Sequence, residues 1–296
     1  MADPKKRLKS VALETLVRVQ ALLPGKEPLD WRVHHAAVWR EGLFGGELRA
    51  HPDVDAIDLD DLLFVDRQKA LLERNTRQFA AGLPANNVLL WGARGTGKSS
   101  LIHGLLNRYA EEGLRLLEVD KEALSALPEI ADRVRDQPFR FIVVCDDLSF
   151  ESDDSSYKAL KSVLEGSVFR ASENILIYAT SNRRHLLPEY MEDNLSARHV
   201  DGELHHGEAV EEKISLSDRF GIWLSFHPFK QDAYLDVVTH WLARIGDDHG
   251  LEIPCDDEAR AQALQWALAR GARNGRTAQY FARDWVGQKL LQRQSD

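Results

Sequence analysis

One segment of the chain combines glycines, a lysine and hydroxyl side chains at a spacing suited to binding phosphate. Residues 92–99 read Gly-Ala-Arg-Gly-Thr-Gly-Lys-Ser and fit the pattern G-x-x-x-x-G-K-[ST] at every fixed position. The glycines let backbone N–H groups converge on phosphate oxygens, and a helix starting near Lys98 favours an anion. We expect Lys98 to reach the β- and γ-phosphates and Ser99 to contribute its hydroxyl oxygen to Mg²⁺. The predicted phosphate site comprises Gly92, Ala93, Arg94, Gly95, Thr96, Gly97, Lys98, Ser99 and Ser100.

Two carboxylates follow an apolar run at residues 141–145. Asp146 comes directly after the run and is the better candidate for holding Mg²⁺ together with the phosphate-loop serine. Asp147 is expected to face the attacking water, as a general base or as a group that orients the water. Glu151 is a second candidate for that role. Taken alone, the pair also fits an ordinary turn after a strand.

A further apolar run, residues 175–179, ends in Thr180, Ser181 and Asn182. The amide of Asn182 is suited to fixing the attacking water and sensing the γ-phosphate if its strand lies beside the carboxylate strand. Thr-Ser-Asn is also an ordinary strand-end turn, so the segment in isolation does not distinguish the two interpretations.

The elements that must position these residues alternate along the chain. Strand-length apolar runs and helical periodicities follow one another, which predicts an α/β fold with a parallel sheet covered by helices on both faces. The predicted strands are 88–91, 115–119, 141–145, 175–180 and 221–226, and the predicted helices are 67–81, 99–112, 121–135 and 155–170. Three further helical periodicities, 231–245, 256–270 and 277–292, predict a small C-terminal helical domain.

The part before the phosphate loop is predicted to be helical. Residues 5–23 carry apolar side chains at helical spacing, and residues 30–50 indicate another short helix ending at Gly45-Gly46. The acidic stretch 53–61 is interpreted as a surface linker. The predicted organisation is an N-terminal helical segment with its linker (1–60), a nucleotide-binding α/β domain (61–229) and a C-terminal helical lid (230–296).

Composition excludes several classes of protein. The apolar fraction of 44% and charged fraction of 29% are those of an ordinary globular chain. A formal charge of −9 argues against broad, charge-driven binding to nucleic acid. With two cysteines, one inside the apolar run 141–145, a disulfide framework is not expected. No apolar run approaches membrane-spanning length and no signal-peptide core follows the basic start, so we expect cytoplasmic location and no membrane span.

These motifs together resemble the AAA+ ATPases. The series adds Ser217-Asp218-Arg219-Phe220 and the tail segment 271–276, Gly-Ala-Arg-Asn-Gly-Arg, to the motifs above. Segments 86–100, 146–151 and 208–220 are similar to a bacterial group of AAA+ ATP-binding proteins known as a domain of unknown function, and the resemblance runs from about Leu62 to the C-terminus. It implies ATP and Mg²⁺ as cofactors and a homo-oligomer driven by nucleotide.

The resemblance also implies roles for individual residues. Asn182 is similar to the sensor-1 residue, and Arg219 to the arginine finger that reaches a neighbouring subunit's γ-phosphate. Arg276, or failing it Arg273, resembles the sensor-2 arginine of the lid. The chain departs from the family in two places. Most AAA+ proteins carry glutamate where this chain has Asp147, which is one methylene shorter and implies slow turnover, and the linker near residues 63–65 lacks the glycine often found there.

The function expected from the sequence is ATP hydrolysis that remodels or loads an unidentified protein or nucleic-acid client, in a ring or an open oligomer. A nucleotide-gated scaffold or loader with little hydrolysis remains an alternative, as does a P-loop kinase. An ABC-type ATPase is disfavoured because residues 148–151, Leu-Ser-Phe-Glu, are not the glycine-rich signature of that class. One further segment holds His199, Asp201, His205, His206 and Glu208. Its spacing matches no zinc pattern, so a solvated loop is expected there in preference to a metal site.

Overall fold

The computed structural model describes residues 29–42, 45–51, 57–150, 155–164, 173–183, 198–200, 203–205 and 216–295. The helix predicted at residues 5–23 lies outside these ranges. The strands are β1 (Ala36–Gly42), β2 (Gly45–Ala50), β3 (Val88–Gly92), β4 (Leu114–Glu118), β5 (Arg140–Cys145), β6 (Ile175–Ser181), β7 (Arg198–Val200), β8 (Glu203–His205) and β9 (Ile222–Phe226). The α-helices are α1 (Asp66–Ala80), α2 (Lys98–Tyr109), α3 (Leu127–Val134), α4 (Ser155–Leu164), α5 (Gln231–Asp248), α6 (Asp257–Ala269) and α7 (Gly275–Ser295), and short 3₁₀ helices span Leu59–Asp61 and Lys121–Ala126.

The main sheet has seven strands in the order β2-β1-β4-β5-β6-β3-β9. Every pairing in it is parallel except that between β1 and β2. The predicted α/β class with a parallel sheet is therefore confirmed. The chain passes from β3 to β4 across three strand positions, so strands that are distant in sequence become neighbours.

Both faces of this sheet are buried, because side chains alternate along each strand and every second residue faces the opposite core. In β5, Phe141, Val143 and Cys145 belong to one hydrophobic cluster. Ile142 and Val144, which lie between them, belong to the cluster on the other face. Helices α3 and α4 cover the first face, and α1 and α2 cover the second.

The short helix predicted within residues 30–50 is wrong, because Ala36–Gly42 and Gly45–Ala50 form an antiparallel pair of strands. Strand β1 also pairs in parallel with β4, so the pair extends the main sheet. Gly46, expected to end a helix, lies beside the indole of Trp39 on the partner strand. A Cβ atom there would be 1.8 Å from the Trp39 ring, so the close approach requires glycine. Residues 36–50 therefore belong to the α/β layer.

Two other predictions need correction. Leu59, placed in a surface linker, is only 1% exposed and packs in the core beside α2. The predicted helix 121–135 begins as a 3₁₀ helix and becomes an α-helix only at Leu127. Pro128 lies in the first turn of that α-helix, where its missing N–H leaves no hydrogen bond unmade.

The three predicted C-terminal helices are confirmed as α5, α6 and α7, which share a hydrophobic cluster of their own. Leu63 and Phe229, from the two segments that connect this part to the sheet, pack against that cluster. We call residues 230–295 the lid. The division of the chain at residues 61 and 230 stays a prediction. Within the described ranges, no helix combines the length and apolar character needed to cross a membrane.

Candidate functional site

The sheet topology brings the three predicted motifs to one edge. Strand β6 pairs with β5 on one side and with β3 on the other. Because the strands are parallel, their carboxyl ends meet at the same edge, the usual position for ligands in α/β proteins. The phosphate loop after β3, Asn182 after β6 and the Asp146-Asp147 pair after β5 are therefore adjacent.

Lys98 lies at the centre of this edge and begins helix α2. Its ammonium group donates hydrogen bonds to the carbonyl oxygens of Gly92 and Ala93, both at 2.8 Å, and to Asn182 Oδ1 at 3.3 Å. Gly97 precedes the helix in a left-handed conformation and, as a glycine, has no side chain to cap the first N–H groups. The first turn of α2 can therefore offer backbone N–H donors to an anion, as the loop pattern predicted.

The ammonium group of Lys98 is buried and has both carboxylates and arginines near it. Burial is the largest influence and lowers the pKa of its ammonium group. Asp146 and Asp147 raise that pKa, whereas Arg276 and Arg94 lower it. Several cations thus share a small volume, and a polyanion placed there would relieve their mutual repulsion.

Asp146 lies between two hydroxyl groups that donate to the same carboxylate oxygen. Ser99 Oγ donates to Oδ1 at 2.7 Å, and Thr180 Oγ1 donates to it at 2.5 Å. A serine hydroxyl and a carboxylate next to the phosphate loop supply the hard oxygen ligands that Mg²⁺ prefers. The predicted pair, Ser99 and Asp146, therefore fits the ion. Thr180 was not predicted to act here, and it holds the carboxylate in place.

Asp147 has an unusual backbone, and both of its carboxylate oxygens accept hydrogen bonds from neighbouring side chains. Its φ of 50° is in the left-handed region, which residues other than glycine adopt only occasionally. Its N–H donates to Thr180 Oγ1 at 3.0 Å. Its two carboxylate oxygens accept from Arg94 at 3.2 Å and from the amide of Asn182. Backbone strain of this kind tends to occur at functional sites, where the surroundings enforce it.

One cavity of about 1160 Å³ contains these groups. Ligand pockets usually have volumes of roughly 300–1,000 Å³, so this cavity is large enough for a nucleoside triphosphate. The phosphate loop from Arg94 to Ser100, Asp146, Asp147, Thr180 and Asn182 line its polar end. Gly92 and Ala93, which also belong to the predicted loop, do not line this cavity as the described residues form it. Their carbonyl oxygens accept hydrogen bonds from Lys98.

The lid and the segment preceding α1 also contribute apolar side chains to this cavity, at what we call its apolar end, alongside charged side chains of α5 and α7. Its lining includes Leu62, Leu63, Val65, Phe229, Val237, Trp241 and Ile245. In that segment Phe64 has a φ of 62°, and its ring lies 5.9 Å from that of Phe229. Residues 63–65 contain no glycine, and Phe64 itself adopts the left-handed conformation there. An aromatic base is the part of a nucleotide suited to such an end.

The three predicted arginines are placed differently. Arg276 lines the cavity and is close enough to Lys98 to lower the pKa of its ammonium. Arg273 is exposed, does not line the cavity as the described residues form it, and contributes a backbone carbonyl that accepts from Phe229 N at 2.9 Å. Arg219 is half-buried and is also absent from that lining. Of the two candidates for sensor 2, the geometry therefore favours Arg276.

Several residues of the site were not found from the sequence. Arg244 of α5 and Arg283 of α7 add two cations to the cavity. Asn274, at the start of α7, donates to the carbonyl oxygen of Arg94 in the phosphate loop at 2.9 Å. Each lies in a helical tail where arginine and asparagine are common, so no local pattern distinguishes them. Asn274 does stand within the segment 271–276 that carried the family resemblance.

The histidine-containing segment was expected to be a loop, but part of it forms the antiparallel strand pair β7 and β8. Its side chains are outside the described part of the structure. Among the side chains that are described, no group of three or more His, Cys, Asp and Glu is arranged to hold a metal ion.

The fold and the site together define a class of protein. A parallel sheet with the phosphate loop, the acidic strand end and the polar strand end at one edge, next to a helical lid, is the arrangement of the AAA+ P-loop NTPases. The chain belongs to the family described as "Protein of unknown function (DUF815)", whose family model matches residues 32–289. No curated protein matches the sequence.

Three solved structures are similar to this chain, and the first of them supports the fold. The RuvB Holliday junction branch migration motor of Thermotoga maritima has a TM-score of 0.51 at 17% identity, over 78% of this chain and 64% of that chain. The ORC1 protein of Aeropyrum pernix in complex with DNA has a TM-score of 0.49 at 15% identity, over 73% of this chain and 57% of that chain. C. elegans PCH-2 has a TM-score of 0.45 at 18% identity, over 77% of this chain and 65% of that chain. The chain thus spans less than two thirds of the length of each of these proteins, and the likeness to RuvB concerns the fold alone.

Proposed function

We propose that this chain is a Mg²⁺-dependent ATPase that uses ATP binding and hydrolysis to remodel or load a partner. The observation that carries the proposal is the meeting of Lys98, the Ser99–Asp146 pair and the Asp147–Asn182 pair at the polar end of one cavity. A phosphate-binding cation, a pair of metal-binding oxygens and a pair of water-orienting groups are the components that phosphoryl transfer to water requires.

The polar end is suited to the triphosphate. The N–H groups at the start of α2 provide donors that are already oriented, which reduces the cost of ordering them on binding. Lys98 must exchange at least one of its hydrogen bonds to Gly92, Ala93 and Asn182 for one to a phosphate oxygen. Arg276 adds a permanent positive charge from the lid side. Ser99 and Asp146 would hold Mg²⁺, which when bound supplies charge to neutralise the phosphate oxygens. The apolar end, with Trp241 and Phe229, would take the adenine.

Asp147 and Asn182 are the groups for the attacking water. The carboxylate of Asp147 accepts hydrogen bonds, so it can hold a water molecule and take a proton as the water attacks. The amide of Asn182 donates to that carboxylate and also accepts from Lys98 through Oδ1. Asn182 thus connects the phosphate-binding cation to the proposed base, which supports its assignment as sensor 1.

A second candidate function, a nucleotide-gated scaffold or loader with little hydrolysis, is favoured by one observation. The Asp147 carboxylate is already engaged by Arg94 and Asn182. Each of its oxygens thus keeps fewer lone pairs for accepting a hydrogen bond from water. Slow turnover with tight nucleotide binding would be the result of this arrangement, and the Asp147 variants considered in the Discussion distinguish the two functions.

The test of the proposed function is calorimetry and phosphate release with the purified full chain. We expect one Mg-ATP site per chain and stabilisation against heat that grows with ligand, by about 2.7 kcal/mol at a free concentration 100 times Kd. Removing Mg²⁺ with EDTA should weaken ATP binding and stop turnover. Absence of nucleotide binding in both calorimetry and thermal denaturation would refute the proposal.

Arg219 is proposed to act in a neighbouring subunit, because it does not line the cavity of its own chain as the described residues form it. We expect Arg219→Ala protein and Lys98→Ala protein each to be inactive alone and partly active when mixed. Mixed oligomers would contain interfaces with one intact loop and one intact arginine. Phosphate release measured across mixing ratios checks this. Activity that depends neither on mixing nor on oligomer size would exclude a shared site.

The client is proposed to be a protein or a nucleic acid. RuvB is a branch migration motor, which makes nucleic acid one class to test, although the formal charge of −9 gives no support to broad binding of it. Affinity capture with ATP and the Asp147→Asn protein is the experiment that identifies the client. A client retained equally by Lys98→Ala protein would contradict nucleotide control of the interaction.

A further inference from the structure

The start of lid helix α7 lies directly on the phosphate loop. Asn274 Nδ2 donates to the carbonyl oxygen of Arg94 at 2.9 Å, and the backbone N–H of Arg276 donates to that of Gly95 at 3.1 Å. Asn274 is only 9% exposed. Two consecutive loop carbonyls are therefore bonded to two residues of the lid, next to the backbone that is expected to bind phosphate.

The same asparagine also begins the lid helix. Its side-chain oxygen accepts from Thr277 N at 2.8 Å, and its backbone carbonyl accepts from Ala278 N at 3.1 Å. The first of these is the hydrogen bond of an N-cap residue. The amide orientation is determined by its partners, because the oxygen faces an N–H donor and the nitrogen faces a carbonyl acceptor. One side chain thus joins the end of a lid helix to the phosphate loop.

The close packing of Asn274 on the phosphate loop is also evident at Gly95. The phosphate-loop pattern leaves this position open to any residue. Here it is a glycine with φ of 74°, and a Cβ atom would lie 2.8 Å from three atoms of the Asn274 side chain. Real Cβ atoms do not approach other atoms so closely, so the loop and the lid asparagine fit together only while residue 95 has no side chain.

We infer that Asn274 is a positioning residue that fixes the phosphate loop to the lid, so that the loop holds its phosphate-binding shape only while the lid is docked. The inference rests on the proposed nucleotide site. The cavity has its phosphate-binding end on the loop, and Arg276 and Trp241 line it from the lid. An amide that connects the two parts keeps both ends of the cavity in register, and its loss should weaken nucleotide binding more than the chemical step.

The test separates the two side-chain hydrogen bonds of Asn274. Serine retains an acceptor suitable for an N-cap but is too short to reach the Arg94 carbonyl while capping. We expect Asn274→Ser to keep a higher melting temperature than Asn274→Ala in the ligand-free chain, because it retains the cap, and to raise the Kd for Mg-ATP about tenfold, with kcat within about twofold. Asn274→Asp, which caps but cannot donate, should weaken binding at least as much.

A matched control exists in the same lid. Asp256 caps α6 by accepting from Ala259 N at 2.8 Å, and it does not line the cavity as the described residues form it. Asp256→Ala and Asn274→Ala each remove one N-cap, and both should lower the melting temperature. Only the second should raise the Kd. An unchanged Kd in Asn274→Ser, or equal Kd changes in the two alanine variants, would overturn the inference. Wild-type protein that binds no Mg-ATP would instead overturn the proposed function.

Discussion

Lys98→Ala should bind Mg-ATP about 100-fold more weakly than the wild-type protein, a loss of about 2.7 kcal/mol. Lys98 is 7% exposed, and its ammonium donates to the Gly92 and Ala93 carbonyls, so the cation is largely removed from water and lies beside the loop that is proposed to bind phosphate. Hydrogen bonds to charged groups contribute about 1.5–3 kcal/mol, and alanine removes all those of the ammonium. Turnover should become undetectable at ATP concentrations that saturate the wild-type protein.

Calorimetry with Mg-ATP and Mg-ADP measures this change, and circular dichroism with thermal denaturation checks that the variant is folded. Lys158→Ala is the matched control, because it removes an exposed lysine of α4. It should leave the Kd unchanged. Lys98→Arg is a second variant that keeps the charge but replaces a compact ammonium with a planar fork, and it should restore little of the affinity. A Kd for Lys98→Ala within threefold of wild type would show that the phosphates bind elsewhere.

Asp147→Asn should lower kcat by about 10²–10⁴-fold while changing the Kd for Mg-ATP by no more than about threefold. The amide has nearly the same shape as the carboxylate, but it cannot accept the proton of the attacking water. Asparagine also tolerates a left-handed backbone, so the φ of 50° at this position should be retained. The expected loss is thus chemical, and the variant should trap the ATP-bound state.

Asp147→Glu, together with Asp147→Asn, distinguishes an ATPase from a scaffold, because in a scaffold turnover should be close to zero in the wild-type protein and in both variants. Glutamate extends the carboxylate by one methylene toward the water, but a longer side chain is less tolerant of the left-handed backbone. We expect turnover at or above the wild-type level with a slightly lower melting temperature. Single-turnover phosphate release checks both variants, and Asp232→Asn, on the exposed first turn of α5, is the control. Unchanged turnover in both Asp147 variants would remove this residue from the mechanism.

The parts of the site that could be predicted are those whose signal is contained within a few residues. The phosphate-loop pattern requires glycine, lysine and serine at set intervals, because one loop and one helix start surround the anion. The apolar run before Asp146 also carries its own signal. Alternate residues of β5 face two cores, and a strand buried on both sides must be apolar throughout.

The errors arose where a distant partner determines the local structure. Trp39 and Gly46 could belong to a helix by spacing, but the indole of Trp39 packs on the backbone of the facing strand, and β1 pairs with β4 about 80 residues later in the chain. Propensity is a weak guide for such strands because tertiary packing overrides it. Leu59 lies in an acidic stretch that the sequence suggested was a linker, but its side chain is buried against α2.

The amino-acid sequence by itself determined the phosphate-loop pattern, the acidic pair Asp146 and Asp147 after β5, and the alternation of elements that produces a parallel sheet. Each of these depends on periodicity or spacing within a short stretch of the chain. The tertiary structure alone decided which strand ends are neighbours, that Thr180 holds Asp146, that Arg276 and not Arg273 lines the cavity, and that Asn274 connects the lid to the loop. These contacts join residues 34 to 180 positions apart, and their geometry is set by strand order and helix docking, which no local pattern records.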